Sequence, residues 1–246
     1  MDVLMLRLIF TGCLIGGGWI GLASPVYSQD TSTTTYADIR WVGAMKNVMQ
    51  KGDLSACIDL DTLQPRTGLY GVGPLDRLSG ELLIRNGQVY TARCYTDTAM
   101  QVVKTFRASA PFLVYGYVTN WRPVELPDSI QTLRDLQDYL EEWSTGRKRP
   151  FLFKLQGQIK QAQIHVQNLP SGSKISTPED AQRSQLHFTL TNQEAEIIGF
   201  FSTTHQGIFT HHDSFLHLHL ISGDERMMGH LDSVSLGSVI LYLPID

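Results

Sequence analysis

Residues 215–230 read FLHLHLISGDERMMGH and contain three of the eight histidines of the chain, His217, His219 and His230. Successive side chains of a strand point to opposite faces, so His217 and His219 would share one face. The leucines beside them would occupy the other face. This alternation predicts a strand with an apolar back and two imidazoles in front.

The strand leads into Ser-Gly-Asp-Glu at residues 222–225, a cluster of turn-forming residues that can reverse the chain into a hairpin. A two-residue turn at residues 223–224 would place His230 opposite His217, on the same face as His219. Opposed side chains on paired strands lie about 4.5–5.5 Å apart at Cβ, which is close enough to share one ion. Three neutral imidazoles with an open coordination position are typical of catalytic zinc, so the hairpin is a predicted metal site.

The alternative is a half-buried hairpin whose histidines face solvent. A shift of the register by one residue would move His230 to the other face and remove the site. Three further histidines precede the strand in a looser segment, at His205, His211 and His212. We expect these three to be solvated polar residues, because such residues are mostly found at the surface.

Length and charge limit the classes of protein to consider. The 246 residues suit one large or two small domains, and 42% hydrophobic residues provide a sizeable core. The 20 Lys and Arg against 24 Asp and Glu leave a formal charge of -4. This balance gives no electrostatic reason to expect nucleic acid or an anionic membrane surface as a partner.

The amino-terminal segment differs from the rest of the chain. Residues 3–23 are almost continuously apolar or small, with Arg7 near their start. This pattern predicts a signal peptide over residues 1–28 and a flexible Ser/Thr-rich tail over residues 29–35. The protein is therefore expected to be exported, to the periplasm or beyond the cell. The alternative is an uncleaved membrane anchor, because about 20 apolar residues can span a bilayer.

Export would leave Cys57 and Cys94 in the mature chain. An oxidising compartment permits them to form a disulfide. Two separate, small, buried residues are the alternative.

Apolar runs bounded by turn residues predict many strands and few helices. The strands are expected at residues 39–42, 81–84, 88–91, 112–118, 151–155, 158–166, 185–191, 195–202 and 238–243. Asn86-Gly87 between two of these runs is a strong hairpin signal. Helices are expected at residues 44–50 and from residues 127–129 to Gly146. The pattern predicts an α+β fold built on antiparallel or mixed sheets.

Four sequence blocks resemble the α-acetolactate decarboxylase family. They are GVGPLDRLSGELLIRNGQVY (71–90), PFLVYGYV (111–118), FLFKLQGQIKQAQIH (151–165), and IIGFFS (197–202) together with FLHLHLISGDERMMGHLDS (215–233). The last block is the most specific, since it is similar to the family's metal motif in ligand type, spacing and turn. The similarity covers residues 36–246, which we divide into an amino-terminal sheet half, 36–145, and a metal-binding half, 146–246.

The resemblance implies a site and a reaction. It implies that His217, His219 and His230 hold Zn²⁺ and that Glu81 is the family's site carboxylate. The implied reaction is zinc-dependent loss of CO₂ from 2-acetolactate to give acetoin, with a proton delivered by Glu81. A homodimer is a further expectation. Without the resemblance, Glu81 would be expected to be a solvated strand residue.

The family's catalytic arginine is replaced in this sequence. Eight residues after Gly157, where the family carries that arginine, this chain has His165. A histidine lacks the permanently charged, two-pronged guanidinium that holds a carboxylate. His165 is expected to take part in catalysis, with Lys154 or Arg226 as candidates for supplying positive charge.

The carboxyl end also departs from the family pattern. Family members bring a second glutamate into the site from beyond the third histidine, whereas this sequence ends at Asp246. We expect a second carboxylate to come from Asp213 or Asp224, or to be absent.

These departures favour a second hypothesis, a catalytically impaired family member that binds a small hydroxy- or keto-acid at a zinc site. A zinc hydrolase follows from the ligand chemistry alone. It ranks last, because the sequence lacks an HExxH motif and the Ser-His-Asp order of common hydrolases.

Overall fold

The structure is a computed structural model that describes residues 38–245. These residues belong to one compact unit, Thr34–Asp246. The predicted signal peptide, 1–28, and tail, 29–35, lie outside the described residues. Within the described part of the chain, no helix is both long and apolar enough to cross a bilayer.

Strands dominate the described chain. In order they are β1 (Arg40–Val42), β2 (Ile58–Asp59), β3 (Leu69–Pro74), β4 (Glu81–Arg85), β5 (Gln88–Thr96), β6 (Ala99–Lys104), β7 (Ser109–Ala110), β8 (Leu113–Tyr117), β9 (Trp121–Glu125), β10 (Phe151–Gln167), β11 (Gln185–Phe201), β12 (Leu216–Ser222) and β13 (Met228–Pro244). The α-helices are α1 (Met45–Lys51), α2 (Leu133–Trp143) and α3 (Pro178–Gln182). Short 3-10 turns occur at Leu60–Thr62 and Asp76–Leu78.

The strands form two main antiparallel sheets. The first has the order β1-β8-β3-β4-β5-β6, and the second has the order β10-β11-β12-β13-β9. In the second sheet β13 also pairs with β10, so strands β10 to β13 close on themselves. β2 and β7 form a separate pair. The prediction of an antiparallel α+β fold with few helices is confirmed.

The predicted hairpin at Asn86-Gly87 is present between β4 and β5. Both residues have positive φ, 45° and 78°, as the tight primed turn of such hairpins requires. The division into halves at residues 145 and 146 stays a prediction. Strand β9, from the first half, is the edge strand beside β13 in the second sheet.

Three predicted strand boundaries were wrong, because short polar or glycine-containing stretches were interpreted as breaks between strands. Residues 151–155 and 158–166 form the single strand β10, residues 185–191 and 195–202 fall largely within β11, and residues 238–243 are only the end of β13. Gly157 has φ +142°, and a Cβ there would lie 2.2 Å from the carbonyl oxygen of Ser238. The pairing with β13 shifts at this residue but continues beyond it.

Helix α2 begins later than predicted. Residues 127–129 lie in a turn, in which the Ile130 N–H donates to the Pro127 carbonyl at 2.9 Å. The helix is capped by Thr132, whose Oγ1 accepts from the Asp135 N–H, while the Asp135 carboxylate accepts from the Thr132 N–H. This reciprocal capping box sets the helix start. Leu136 and Leu140 are buried, as the apolar stripe predicts.

Both faces of β12 are buried, although a solvated histidine face had been the alternative. Leu216, Leu218 and Leu220 belong to the main apolar core. On the other face, His217 and His219 are 2% and 1% exposed. The solvated-hairpin alternative is therefore wrong. Cys57 is exposed, Cys94 is half-buried, and both are free thiols.

Candidate metal centre

The β12–β13 hairpin brings His217, His219 and His230 together, but in a different register from the predicted one. His230 lies opposite His219, not His217. The turn has four residues, 223–226, and is closed by the Ser222 N–H donating to the Met227 carbonyl at 2.9 Å. The sequence pattern did not reveal this, because side-chain hydrogen bonds hold the loop. The shift is two residues, so His230 keeps the predicted face.

The three imidazoles are positioned to share one ion. One ring nitrogen from each lies within 4.8 Å of the others. The ring centroids are 5.2 to 5.4 Å apart. Because the strands on both sides of the cluster are hydrogen-bonded, the face is formed before any ligand arrives.

Burial keeps these histidines in the form that binds metals. It lowers the pKa of His217 to about 3, with a further contribution from the neighbouring His211. The pKa values of His219 and His230 are also far below the ordinary value, again chiefly through burial. A neutral imidazole has a free lone pair for a metal, whereas an imidazolium has none.

The cluster fits a metal by a second criterion. His219 Nε2 is buried and has no hydrogen-bond partner among the described residues. An unpaired buried polar atom costs about 1–3 kcal/mol, so it normally indicates a missing ligand or a functional role. Three nitrogen donors suit zinc and several other divalent transition metals.

Glu81, which only the resemblance had placed in the site, lies beside these histidines. It begins β4 in the first sheet, is 2% exposed, and has its Oε2 3.5 Å from His219 Nε2. Its Oε1 accepts a hydrogen bond from the Gln167 N–H at 3.2 Å. Burial raises the pKa of Glu81 well above its usual range, more than this hydrogen bond lowers it. The negative charge of Asp232 raises that pKa further.

His165 is part of a row of histidines that crosses four paired strands. His219 on β12 lies opposite His230 on β13, which lies opposite His165 on β10, which lies opposite His187 on β11. The ring centroids of His165 and His230 are 4.7 Å apart. The row runs from a buried end to an exposed one, since the His219 side chain is 1% exposed and that of His187 57%. His165 thus lies next to the metal candidates, and its part in catalysis, which the resemblance implied, stays a prediction.

Asp232 holds two members of this row, and the sequence analysis missed it. Its carboxylate lies 2.6 Å from Nδ1 of His165 and 3.3 Å from Nδ1 of His187. Gln163 pairs with Ser233 and Ile164 with Leu231, so Asp232 is an unpaired bulge residue. Bulges redirect side chains in this way beside active sites. The only available signal was a carboxylate two residues after His230.

The cations and acids proposed from the sequence to complete the site lie elsewhere. Lys154 is 3.5 Å from Glu196 and lies over the Tyr242 ring. Arg226 and Asp224 contact each other at the exposed hairpin turn, and Asp213 is an exposed neighbour of His212. None of these four residues lines the cavity at the histidines.

Of the three histidines expected to be solvated, only His212 is, with a side chain 90% exposed. His205 is half-buried and stacks on Phe209, with ring centroids 4.8 Å apart. His211 is also half-buried, and its Nε2 lies 3.3 Å from Nε2 of His230. The expectation was therefore wrong for His211, which contacts the candidate metal centre.

A cavity of about 30 Å³ adjoins the cluster. Glu81, His165, His211 and two of the predicted metal ligands supply its polar walls, and Met45, Met49 and Phe112 supply its apolar side. This volume corresponds to about one water molecule. The methionines of α1 have unbranched side chains, which adapt readily to the shape of a ligand.

The fold and site define an antiparallel α+β protein with a buried histidine cluster next to a buried acid. The sequence profile of the family described as Alpha-acetolactate decarboxylase matches residues 42–243. The chain belongs to this family.

Curated relatives agree with this assignment. An Alpha-acetolactate decarboxylase of Bacillus subtilis (strain 168) is 26% identical over 168 residues, covering 68% of this chain and 63% of the relative. One from Streptococcus thermophilus is 24% identical over 182 residues, covering 73% of each. The chain thus spans less than two thirds of the length of the Bacillus relative.

Solved structures share the fold. The alpha-acetolactate decarboxylase of Bacillus subtilis strain 168 superposes with a TM-score of 0.69 at 20% identity, covering 85% of each chain. A Staphylococcus aureus protein, described as of unknown function and similar to Alpha-acetolactate Decarboxylase, gives a TM-score of 0.70 at 15% identity, again covering 85% of each chain. At these identities the superpositions establish the fold alone.

Proposed function

We propose that this chain catalyses the zinc-dependent decarboxylation of 2-acetolactate to acetoin. One observation carries the proposal. Three buried histidines in their neutral form face Glu81, a buried acid whose Oε2 lies 3.5 Å from His219. Membership of the family and the names of the curated relatives support the choice of substrate.

His217, His219 and His230 would hold the ion. A bound Zn²⁺ supplies a Lewis acid that stabilises the negative charge developing on the substrate oxygen as CO₂ leaves. Nitrogen donors of this kind orient the ion without adding negative charge of their own, which preserves its positive field at the substrate.

Glu81 would act as the proton donor. Its raised pKa lets it hold a proton at a higher pH than an exposed carboxyl does. After CO₂ has left, the carbon that carried it needs a proton, and Glu81 would deliver that proton from Oε2. The Gln167 N–H fixes the other oxygen, so the carboxyl group stays aimed at the cluster.

His165 would contact the substrate carboxylate in place of the family's arginine. Asp232 occupies its Nδ1, which fixes the ring orientation and leaves Nε2 for the cavity. Met45, Met49 and Phe112 form the apolar side of that cavity. These side chains would exclude water, which strengthens electrostatic interactions with the substrate.

The proposal is tested by assaying the purified chain for CO₂ and acetoin. We expect acetoin formation from 2-acetolactate, its loss on chelation, and its recovery when Zn²⁺ is added back. The variant His219→Ala should stay inactive after zinc addition, whereas His212→Ala, which changes an exposed histidine, should behave as wild type. Zinc binding with no acetoin above the spontaneous rate would refute the decarboxylase assignment.

A second candidate is a family member that binds a small hydroxy- or keto-acid without efficient turnover. Two observations favour it, His165 at the arginine position and the cavity of only about 30 Å³. The substitution His165→Arg separates the two candidates. A large gain in turnover would favour the impaired binder, whereas a loss would indicate that His165 is adapted to the reaction.

We also propose that the protein is exported after removal of residues 1–28, and that it forms a homodimer. The apolar run at residues 3–23 supports export. The mass of the protein recovered from its native host tests cleavage, and an intact amino terminus in a membrane fraction would favour an anchor instead. Light scattering on the purified protein tests the dimer, and a monomeric mass would refute it.

A further inference from the structure

His211 lies in the loop between β11 and β12, at the boundary between an anchored and an exposed segment. Before it, Phe209 and Thr210 are 1% and 0% exposed. After the exposed tip, the Phe215 N–H donates to the Gln137 side chain at 2.8 Å, which fixes the return to β12. The loop therefore holds His211 in place from both sides.

His211 contacts one of the predicted ligands through ring nitrogens. Its Nε2 is 3.3 Å from Nε2 of His230, and the two rings meet edge to face with centroids 5.0 Å apart. A hydrogen bond between two neutral imidazoles accounts for this separation in the absence of metal. Two nitrogens bound to one tetrahedral zinc at 2.0–2.1 Å are also about 3.3 Å apart.

Metal binding through Nε2 of His230 would break that hydrogen bond. A ring nitrogen has one lone pair or one proton, so an ion on His230 Nε2 removes the partner of His211 Nε2. The His211 ring would then hold an unpaired nitrogen against the buried cluster, where such atoms are unfavourable. Binding the same ion through this nitrogen would restore a partner for it.

We propose that His211 is a fourth histidine ligand of the ion held by His217, His219 and His230. The inference rests on the proposed metal site but is independent of the proposed reaction. Zinc can expand to five ligands during catalysis, so four histidines still leave a position for a substrate oxygen. The ligand class is a borderline divalent metal that accepts imidazole nitrogen, such as Zn²⁺ or Cd²⁺.

Nuclear magnetic resonance of the full chain tests the ligand count directly. The protein is labelled with ¹⁵N-histidine and loaded with ¹¹³Cd²⁺, and the imidazole nitrogens coupled to the metal are counted. We expect four in the wild type, three in His211→Gln, and four in the matched control His212→Gln. The wild-type count needs no variant, so a folding defect in His211→Gln would leave the test intact.

Three coupled nitrogens in the wild type, with His211 uncoupled, would overturn this inference and leave the proposed function standing. An absence of any coupling would overturn both. A second measurement is zinc affinity by competition with a chelator. His211→Gln should weaken zinc binding at least about tenfold, and an affinity equal to that of wild type and of His212→Gln would contradict ligation.

Discussion

Two carboxyl groups near the histidine cluster have contrasting surroundings, which suit them to different uses. Glu81 is buried, and its pKa is raised chiefly by loss of solvent, so it favours the protonated form. Asp232 has a side chain 31% exposed and two imidazoles beside it. The first is suited to donating a proton and the second to orienting His165.

We predict that Glu81→Gln lowers acetoin formation by about 10²- to 10⁴-fold, because an amide has no proton to deliver. Glutamine keeps an acceptor for the Gln167 N–H, so the fold and zinc affinity should be retained. Turnover and a zinc titration check both points. The exposed Glu125 provides the control Glu125→Gln, and unchanged turnover in zinc-loaded Glu81→Gln would rule out this role.

At the residue scale, the sequence was sufficient to predict that His217, His219 and His230 lie together, but not which residues surround them. His217 and His219 share a face because of a local alternation that any strand imposes. The burial of Glu81 depends on the first sheet covering that face, which no local pattern encodes. His211 likewise contacts His230 only through the path of a long loop.

Among the elements, the β12–β13 hairpin is fastened to the first sheet through its turn. Glu225 accepts hydrogen bonds from Lys104 at 2.6 Å, from the Tyr90 hydroxyl at 2.9 Å, and from Arg85. Lys104, followed by Tyr90 and Arg85, lowers the pKa of Glu225 to about 2 against the opposing effect of burial. These contacts join the metal hairpin to β4, the strand that carries Glu81.

We predict that Glu225→Gln destabilises the metal-free protein by about 1–2 kcal/mol at pH 7, allowing for screening at this partly exposed site. A lowered folded-state pKa stabilises the fold above the unfolded value of 4.5. That contribution is lost as the pH falls toward about 2. Urea unfolding should therefore show a smaller difference in the free energy of unfolding between Glu225→Gln and wild type at pH 3 than at pH 7.

The control for this experiment is Glu142→Gln, at an exposed helical position. It should change stability little at either pH. A gap between Glu225→Gln and wild type that stays constant or widens at pH 3 would contradict the assigned cause.

At the element scale, strand identity was predictable and strand continuity was not. The apolar runs correctly marked parts of β10 and β11, but the interruption at Gly157 was a bulge within a continuing strand. A bulge and a turn use the same permissive residues, so their local signals coincide. The cap of α2 was overlooked for a related reason, since Pro127 provided a competing helix-start signal.

For the whole molecule, the candidate centre joins the two sheets. The second sheet provides the predicted ligands, and the first provides Glu81. This arrangement depends on contacts between segments far apart in sequence, so it could be inferred from family resemblance but not from periodicity. An ion bound there would stabilise the folded state, because the unfolded chain lacks a preformed ligand set.

We predict that free Zn²⁺ at 100 times its Kd stabilises the folded protein by about 2.7 kcal/mol. For a chain of this size that corresponds to a rise in Tm of roughly 5–10 °C. Calorimetry with zinc and with chelator measures the difference. The rise in Tm on adding zinc should be absent in His219→Ala and present in His212→Ala. An equal rise in His219→Ala would mean that zinc stabilises the protein from another site.

The four-residue turn at residues 223–226 suggests a filter for finding similar sites in other sequences. Lengthening the assumed two-residue turn to four residues changed the partner of His230 but not its face, so the quantity that matters is whether the number of turn residues is even or odd. A His-x-His strand followed by an unbulged antiparallel partner tolerates loops that differ by an even number of residues. A search that requires one exact number of residues between the second and the third histidine will miss such hairpins. A search that requires only an odd difference between the residue numbers of these two histidines will retain them.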